Sequence, residues 1–202
     1  MRTRLIPLLA FVSLLATAFV PAVGSSHPGA PPEATVTVEP GTGVVALAFD
    51  SAALGRRTTT LVWLPDAYEA HGKPWPTAYF LHGELPIGGS ARAHADRLAV
   101  PELGDRHRFL LVVPDADEVP ACATCVWIDG RNDLGVDAET HLHHEVVPLV
   151  ESLFNVRSDR AGRAILGTSM GATGALIQGA RHPDRFAFIG AMSPLLDLAG
   201  QP

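Results

Sequence analysis

The pentapeptide at residues 167–171, which reads GTSMG, constrains the fold of this chain more than any other segment. It follows the strand-like run at 163–166 and precedes a small-residue segment of helical character, so it joins a strand to a helix through a sharp turn. A residue at the centre of such a turn is strained, and glycines on either side let strand and helix approach closely. The pattern G-x-S-x-G in this setting predicts Ser169 as a nucleophile. It also places the Met170 backbone N–H at a helix N-terminus, where it can stabilise a developing oxyanion. The alternative is a glycine-rich helix start that contains an incidental serine.

Strand-like and helix-like segments alternate along the rest of the chain. Three β-like stretches lie between Thr35 and Leu64. Two short apolar runs, Ala78–Leu81 and Phe109–Val113, end sharply at turn residues, as strands buried on both faces of a parallel sheet do. Helical patterns lie at Arg92–Ala99, Ala138–Phe154 and Gly171–Arg181, and a further strand pattern lies at Phe186–Ile189. This alternation predicts a single α/β domain in which helices flank a mostly parallel sheet.

Composition narrows the classes of function. Of the 202 residues, 47% are hydrophobic and 18% are charged, which is typical of a globular domain and not of a disordered or collagen-like chain. The formal net charge is −6. A nucleic-acid-binding protein instead needs clustered Lys and Arg to displace phosphate counterions, so we expect no nucleic-acid partner.

The N-terminus has the three parts of a secretory signal. Two arginines precede an apolar run over residues 5–20, and the small residues Ala22 and Gly24 follow. A transmembrane anchor is the alternative, but the run is shorter than the roughly 18 to 20 apolar residues that cross a bilayer, and Pro7 interrupts it. We therefore expect a signal peptide at 1–24, an extended Pro- and Gly-rich leader at 25–33 and the folded domain at 34–202. The protein is then secreted or located in the cell envelope, without a transmembrane segment after cleavage.

Cys122 and Cys125 are the two cysteines of the chain. In an oxidising compartment, cysteines this close in a loop favour a disulfide. A zinc site that includes His141 and His144 is an alternative, but two residues separate these histidines, where such sites usually have three to five. Free thiols are the third possibility. We expect His141, His143 and His144 to form a polar, solvated helix face, and we expect no metal and no cofactor.

Several stretches in a fixed order resemble the α/β-hydrolase family of secreted esterases that includes esterase D and the antigen 85 mycolyltransferases. They read FDS and LGR within 49–56, LPDAY at 64–68, YFLHG at 79–83, WIDG at 127–130, EVVP at 145–148, GTSMG at 167–171, HPDRF at 182–186 and MSP at 192–194. They span most of the domain, and the ordered set is more specific than any one motif. The resemblance implies an α/β-hydrolase fold.

The resemblance also implies roles for individual residues. Ser169 would be the nucleophile that forms an acyl-enzyme with a carboxylic ester, and the backbone N–H groups of Met170 and Glu84 would form the oxyanion hole. His182 would cap the helix after the nucleophile and take no part in catalysis. His82 is predicted to be a structural turn residue, because it precedes the nucleophile and these hydrolases run in the order Ser, acid, His. The implied function is an exported serine esterase or acyltransferase that acts on a small-molecule, lipid or carbohydrate ester.

The triad acid and histidine of this family lie on loops after the seventh and eighth strands. The 33 residues after Ser169 contain one histidine, His182, and two acids that both follow it, so the order Ser, acid, His is absent. Three explanations are open: a piece of a longer esterase that lacks the last strands, a short protein without a general base, or a replacement base such as His82 or His94. The first two predict an exposed sheet edge at the last strand. The second motivates an alternative function, a non-catalytic envelope or extracellular binding protein with a hydrolase fold.

Overall fold

The computed structural model describes residues 30–84, 91–115, 117, 125–130 and 135–195. The predicted signal peptide and the first five residues of the predicted leader lie outside these ranges. The strands of the described chain are β1 (Ala34–Val38), β2 (Val44–Ser51), β3 (Arg56–Trp63), β4 (Thr77–Leu81), β5 (Leu110–Val113), β6 (Arg163–Thr168) and β7 (Phe188–Met192).

These strands form one sheet in the order β1-β2-β3-β5-β4-β6-β7. Neighbours from β1 to β5 pair antiparallel, whereas β5, β4, β6 and β7 pair parallel. The wholly apolar runs that became β4 and β5 are fully buried, as the sequence predicted. Because β4 and β6 are parallel neighbours, the residues that follow them lie at the same edge of the sheet.

The helices are α1 (Ala91–Arg97), α2 (Val100–His107), α3 (Ala138–Thr140), a π-helical segment (His141–Val146), α4 (Val147–Leu153) and α5 (Met170–Arg181). The predicted helix at 138–154 is therefore one continuous helical stretch whose central part is a π-helix. A short 3₁₀ turn, Arg160–Gly162, leads into β6. Within the ranges that the structure describes, no helix has the length and apolar character to cross a bilayer.

A hydrophobic core lies on each face of the sheet. Tyr79 and Leu81 of β4 belong to the larger core, which also contains apolar residues of the π-helical segment, α4 and α5. Phe80, between them, belongs to the smaller core, together with residues of α1 and α2. Successive strand residues point to opposite faces, so one buried strand supplies both cores. The helices thus flank the sheet on both sides.

Strand β7 lies at the edge of the described sheet and pairs with β6. Phe188 is 60% exposed and Met192 is 48% exposed. The strand begins two residues later than the predicted start at Phe186. The reason is that Phe186 is buried, with its ring 6.3 Å from the ring of Tyr79 in an edge-on contact, instead of extending the strand.

The predicted solvated histidine face is wrong for two of its three members. His141 is 0% exposed and His143 is 3% exposed, whereas His144 is exposed. The Nδ1 atom of His141 lies 2.7 Å from a carboxylate oxygen of Glu145, and the Nε2 atom of His143 lies 2.8 Å from the amide oxygen of Gln178. These buried polar partners make the interior position of both imidazoles possible.

Candidate active site

Strand β6 passes into α5 through a tight turn at Ser169. The φ and ψ angles of Ser169 are 52° and −122°, a region that residues with a side chain rarely occupy. The turn is tied to the neighbouring strand, because the Ser169 N–H donates a 2.9 Å hydrogen bond to the carbonyl of Met192 at the end of β7. The side chain is only partly buried, so it remains reachable from solvent.

Glycines before and after Ser169 are required by close backbone contacts. A Cβ atom on Gly171 would lie 2.0 Å from the carbonyl oxygen of Leu81, at the end of β4. A Cβ atom on Gly167 would lie 2.1 Å from the carbonyl oxygen of Gly171. No side chain fits at either position, which confirms the close approach of strand and helix predicted from the motif.

One predicted oxyanion donor, Met170, directly follows Ser169 in the chain, and the other, Glu84, follows a glycine that lies against the Ser169 side chain. Met170 is the first residue of α5, and an N–H in the first turn of a helix has no intrahelical acceptor. Glu84 follows Gly83, and a Cβ atom placed on Gly83 would lie 3.1 Å from the Cβ atom of Ser169. Their joint role as an oxyanion hole stays a prediction.

His82 is the first residue after β4, beside the turn at Ser169. Its side chain is fully buried, and its Nδ1 atom lies 2.9 Å from the Gly83 carbonyl oxygen, so Nδ1 carries a proton. Burial lowers the pKa of His82, although Gly83 and the Asp115 carboxylate oppose this shift. These contacts fit the predicted role of a structural turn residue.

Trp127 packs between His82 and α5, a role that was not predicted from the sequence. It is fully buried, and its indole N–H donates a 3.1 Å hydrogen bond to the His82 carbonyl. Its ring meets the His82 ring edge-on with centroids 5.0 Å apart. On the other side, a Cβ atom on Gly174 of α5 would lie 2.8 Å from the Trp127 Cβ. The WIDG motif was the available signal, but only the fold reveals these contacts.

His94 on α1 also borders the turn. A Cβ atom on Gly83 would lie 3.2 Å from His94 Cε1 and 3.1 Å from Ser169 Cβ. Both side chains therefore border the space next to Gly83. The imidazole also packs edge-on against Phe80, with ring centroids 6.2 Å apart. Burial lowers the pKa of His94, and the electrostatic influence of His82 and Arg97 lowers it further.

His182 lies at the opposite end of α5. It is the C-cap residue, and its N–H donates a 2.9 Å hydrogen bond to the Gln178 carbonyl. Its Nε2 atom lies 2.7 Å from a carboxylate oxygen of Glu139. The helix rise places it about 20 Å from Ser169. The capping position implied by the resemblance is therefore observed.

The predicted disulfide lies partly outside the described residues, because Cys122 is among those not described. Cys125 is buried, and its sulfur accepts a 3.2 Å hydrogen bond from the Trp127 N–H. The Cys122–Cys125 disulfide stays a prediction. Within the described ranges, no three or more His, Cys, Asp or Glu side chains are arranged to hold a metal ion.

The sheet order, the helices on both faces and the strained serine between β6 and α5 together define an α/β-hydrolase. The chain belongs to the putative esterase family, whose sequence profile matches residues 51–202. The fold and the family resemblance predicted from the sequence are thus confirmed.

Known relatives agree with this assignment. Esterase Rv1288 of Mycobacterium tuberculosis (strain H37Rv) is 29% identical over 143 residues, which are 69% of this chain and 29% of the relative. A ferulic acid esterase structure is 30% identical with a TM-score of 0.63, over 79% of this chain and 61% of that one. An S-formylglutathione hydrolase from Agrobacterium tumefaciens, 19% identical with a TM-score of 0.61 over 80% of this chain and 61% of that one, supports the fold alone. The chain therefore spans only part of the length of each relative.

Proposed function

We propose that this chain is an exported serine esterase or acyltransferase that attacks carboxylic esters through Ser169. The observation that carries the proposal is the backbone of Ser169, held at φ 52° and ψ −122° by glycines that admit no Cβ atom. Strain of this kind persists where the surrounding structure over-determines it, and it is concentrated at functional sites. The family assignment and the partial exposure of Ser169 support the same conclusion.

The proposed reaction passes through an acyl-enzyme. The Ser169 hydroxyl oxygen forms a bond to the acyl carbon, the bond from that carbon to the alcohol oxygen breaks, and the departing alcohol receives the proton that the serine loses. The backbone N–H groups of Met170 and Glu84 would hold the oxyanion of the tetrahedral intermediate. One such donor is worth about 2.7–4 kcal/mol of transition-state stabilisation. Water or a second alcohol then takes the acyl group, which makes the protein a hydrolase or a transferase.

The substrate class is a carboxylic ester of a small molecule, lipid or carbohydrate. The 30% identity to a ferulic acid esterase makes aromatic acyl esters a reasonable first choice for screening. Short-chain p-nitrophenyl esters serve as general substrates beside them.

A fluorophosphonate probe tests the nucleophile directly. We expect a covalent adduct that peptide mapping assigns to Ser169 and that is absent from the Ser169→Ala variant. Ser152→Ala is the matched control, because Ser152 lies on α4 and its hydroxyl donates to the Leu149 carbonyl at 2.8 Å, away from the turn. A folded wild-type chain without an adduct on Ser169 would refute the proposal and favour the non-catalytic binding protein.

Export and the disulfide belong to the same proposal. Expression in a secreting host should give a mature protein that begins at Ser25, as N-terminal sequencing would show. The intact mass of that protein should be lower by two hydrogens than after reduction, with the Cys122–Cys125 link recovered in one peptide. An uncleaved N-terminus or two free thiols in the exported protein would contradict these parts of the proposal.

A further inference from the structure

Trp127 contacts both segments that carry the predicted oxyanion donors. Its indole N–H donates a 3.1 Å hydrogen bond to the carbonyl of His82, two residues before Glu84 in the chain. On α5, Gly174 approaches Trp127 so closely that a Cβ atom there would lie 2.8 Å from the Trp127 Cβ and 3.0 Å from its Cδ1. Helix α5 begins at Met170, the other predicted donor. One buried side chain therefore bridges the two donor segments.

The His82 carbonyl, which accepts the indole hydrogen bond, also borders the start of α5. A Cβ atom on Gly171 would lie 2.5 Å from this oxygen. Because a peptide unit is planar, holding the carbonyl also holds the Gly83 N–H in the same plane. The indole thereby fixes the direction in which the chain continues to Glu84.

The backbone at Trp127 is strained. Val126 has φ 54° and Trp127 has φ 58°, so two successive residues with side chains lie in the left-handed region. A β-branched residue such as valine is rarely found there. Strain of this kind persists where the surrounding structure over-determines it, and it is concentrated at functional sites. The conformation that presents the indole to His82 is therefore imposed by the fold.

A buried glutamine on α5 holds this strained segment. The side-chain amide nitrogen of Gln178, which is 0% exposed, donates to the Trp127 carbonyl oxygen. Its amide oxygen lies 2.8 Å from Nε2 of His143, so that this nitrogen carries the proton and donates. Both ends of the amide are thus engaged, and buried polar groups that are fully paired make their surroundings rigid.

We propose that Trp127 is a positioning residue that sets the separation of the two predicted oxyanion donors, Met170 and Glu84, an inference that rests on the proposed function of Ser169. Trp127 acts through the His82 carbonyl and through α5, not by contact with the substrate. An oxyanion donor works at about 2.7–3.1 Å from the oxyanion, and a misplacement of about 1 Å can cost on the order of 10²-fold in rate. The effect belongs to the transition state, because the oxyanion forms only there.

The test compares Trp127→Phe with Trp75→Phe. The first variant keeps an aromatic ring but removes the N–H that holds the His82 carbonyl. The second is the matched control, because Trp75 is also buried but lies two residues before β4, at the opposite end of this strand from His82. In the pre-steady-state burst with p-nitrophenyl acetate, the acylation rate constant of Trp127→Phe should fall by about 10-fold or more, and the dissociation constant of the substrate should stay within about 2-fold. Trp75→Phe should change neither constant.

An alkyl trifluoromethyl ketone gives a second readout that a packing residue would not move. The Ser169 oxygen adds to the ketone carbon, the carbonyl double bond becomes a single bond to an oxyanion, and the serine proton is released to the buffer. The inhibition constant should rise in Trp127→Phe by the factor by which acylation slows, since both report the same oxyanion contacts. In Trp75→Phe it should equal that of the wild type.

Gln178→Met tests the same support if Trp127→Phe does not fold, which urea unfolding shows. It removes the amide that holds the Trp127 carbonyl but leaves the indole, so both constants should shift in the same direction by a smaller factor. Wild-type acylation and inhibition constants in the folded variant, or equal losses in Trp127→Phe and Trp75→Phe, would overturn this inference alone. A wild-type chain that is neither acylated nor labelled by a fluorophosphonate at Ser169 would overturn the proposed function, and this inference with it.

Discussion

Replacing Ser169 with glycine should stabilise the protein relative to replacing it with alanine. Both variants lack the hydroxyl, but only alanine keeps a Cβ atom at φ 52° and ψ −122°. A non-glycine residue in so sparsely populated a region carries about 1–3 kcal/mol of strain. Glycine relieves this strain but adds unfolded-state entropy worth about 0.5–1 kcal/mol. We therefore expect Ser169→Gly to exceed Ser169→Ala by about 0.5–2 kcal/mol in the free energy of unfolding.

Urea unfolding of the two variants side by side measures this difference. Thermal unfolding gives a second estimate, because 1 kcal/mol shifts Tm by about 2–4 °C in a domain of this size. Equal stabilities, or a less stable glycine variant, would show that Ser169 is not held in a strained conformation. The structural argument for a nucleophile at this position would then fail, whatever the activity of the protein.

Two further predictions concern stability. Gly171→Ala should cost about 1–3 kcal/mol or more, because its Cβ would lie 2.0 Å from the Leu81 carbonyl oxygen. Gly55→Ala is the control: Gly55 has φ 65° and no atom within 4 Å of a Cβ position, so this variant should lose only about 1 kcal/mol of stability. Similar urea midpoints for the two variants would contradict the close contact at Gly171. Burial lowers the pKa of His143 to about 4, so between pH 6.5 and 4 the unfolded chain binds more protons than the folded one. The free energy of unfolding should therefore decrease as the pH is lowered through this window, by up to about 3 kcal/mol, and should decrease less in His143→Gln. Urea unfolding at pH 7 and pH 5 measures this difference. Equal losses in the two proteins would contradict the prediction.

The sequence predicted the elements whose signal is local. Strands β4 and β5 are continuous apolar runs, and the turn at Ser169 is a five-residue motif, so each could be recognised without knowing its neighbours. Helix α2 was missed because Pro101 and Gly104 interrupt its pattern. Proline is tolerated in the first helical turn, where its missing N–H has no intrahelical acceptor to lose.

The rest of the site depends on contacts between distant segments. His141 is buried because Ser51, in β2, and Glu145 both lie within hydrogen-bond distance of its Nδ1 atom. Trp127 reaches His82 across the end of the sheet. His94 meets the turn at Ser169 only after α1 packs on the face that carries Phe80. Periodicity and motif spacing carry no information about such pairs, so these contacts could not be predicted from the sequence.

Trapping the acyl-enzyme tests the role of Ser169 most directly. The wild-type chain and Ser169→Ala would each be mixed with p-nitrophenyl acetate, quenched in acid and analysed by intact mass and peptide mapping. A reactive Ser169 predicts one acetyl group per chain on that residue, a burst of p-nitrophenol of matching size, and neither in Ser169→Ala. A folded wild-type chain that acquires no acetyl group, or a Ser169→Ala variant that acquires as much, would contradict the assignment of Ser169 as the nucleophile.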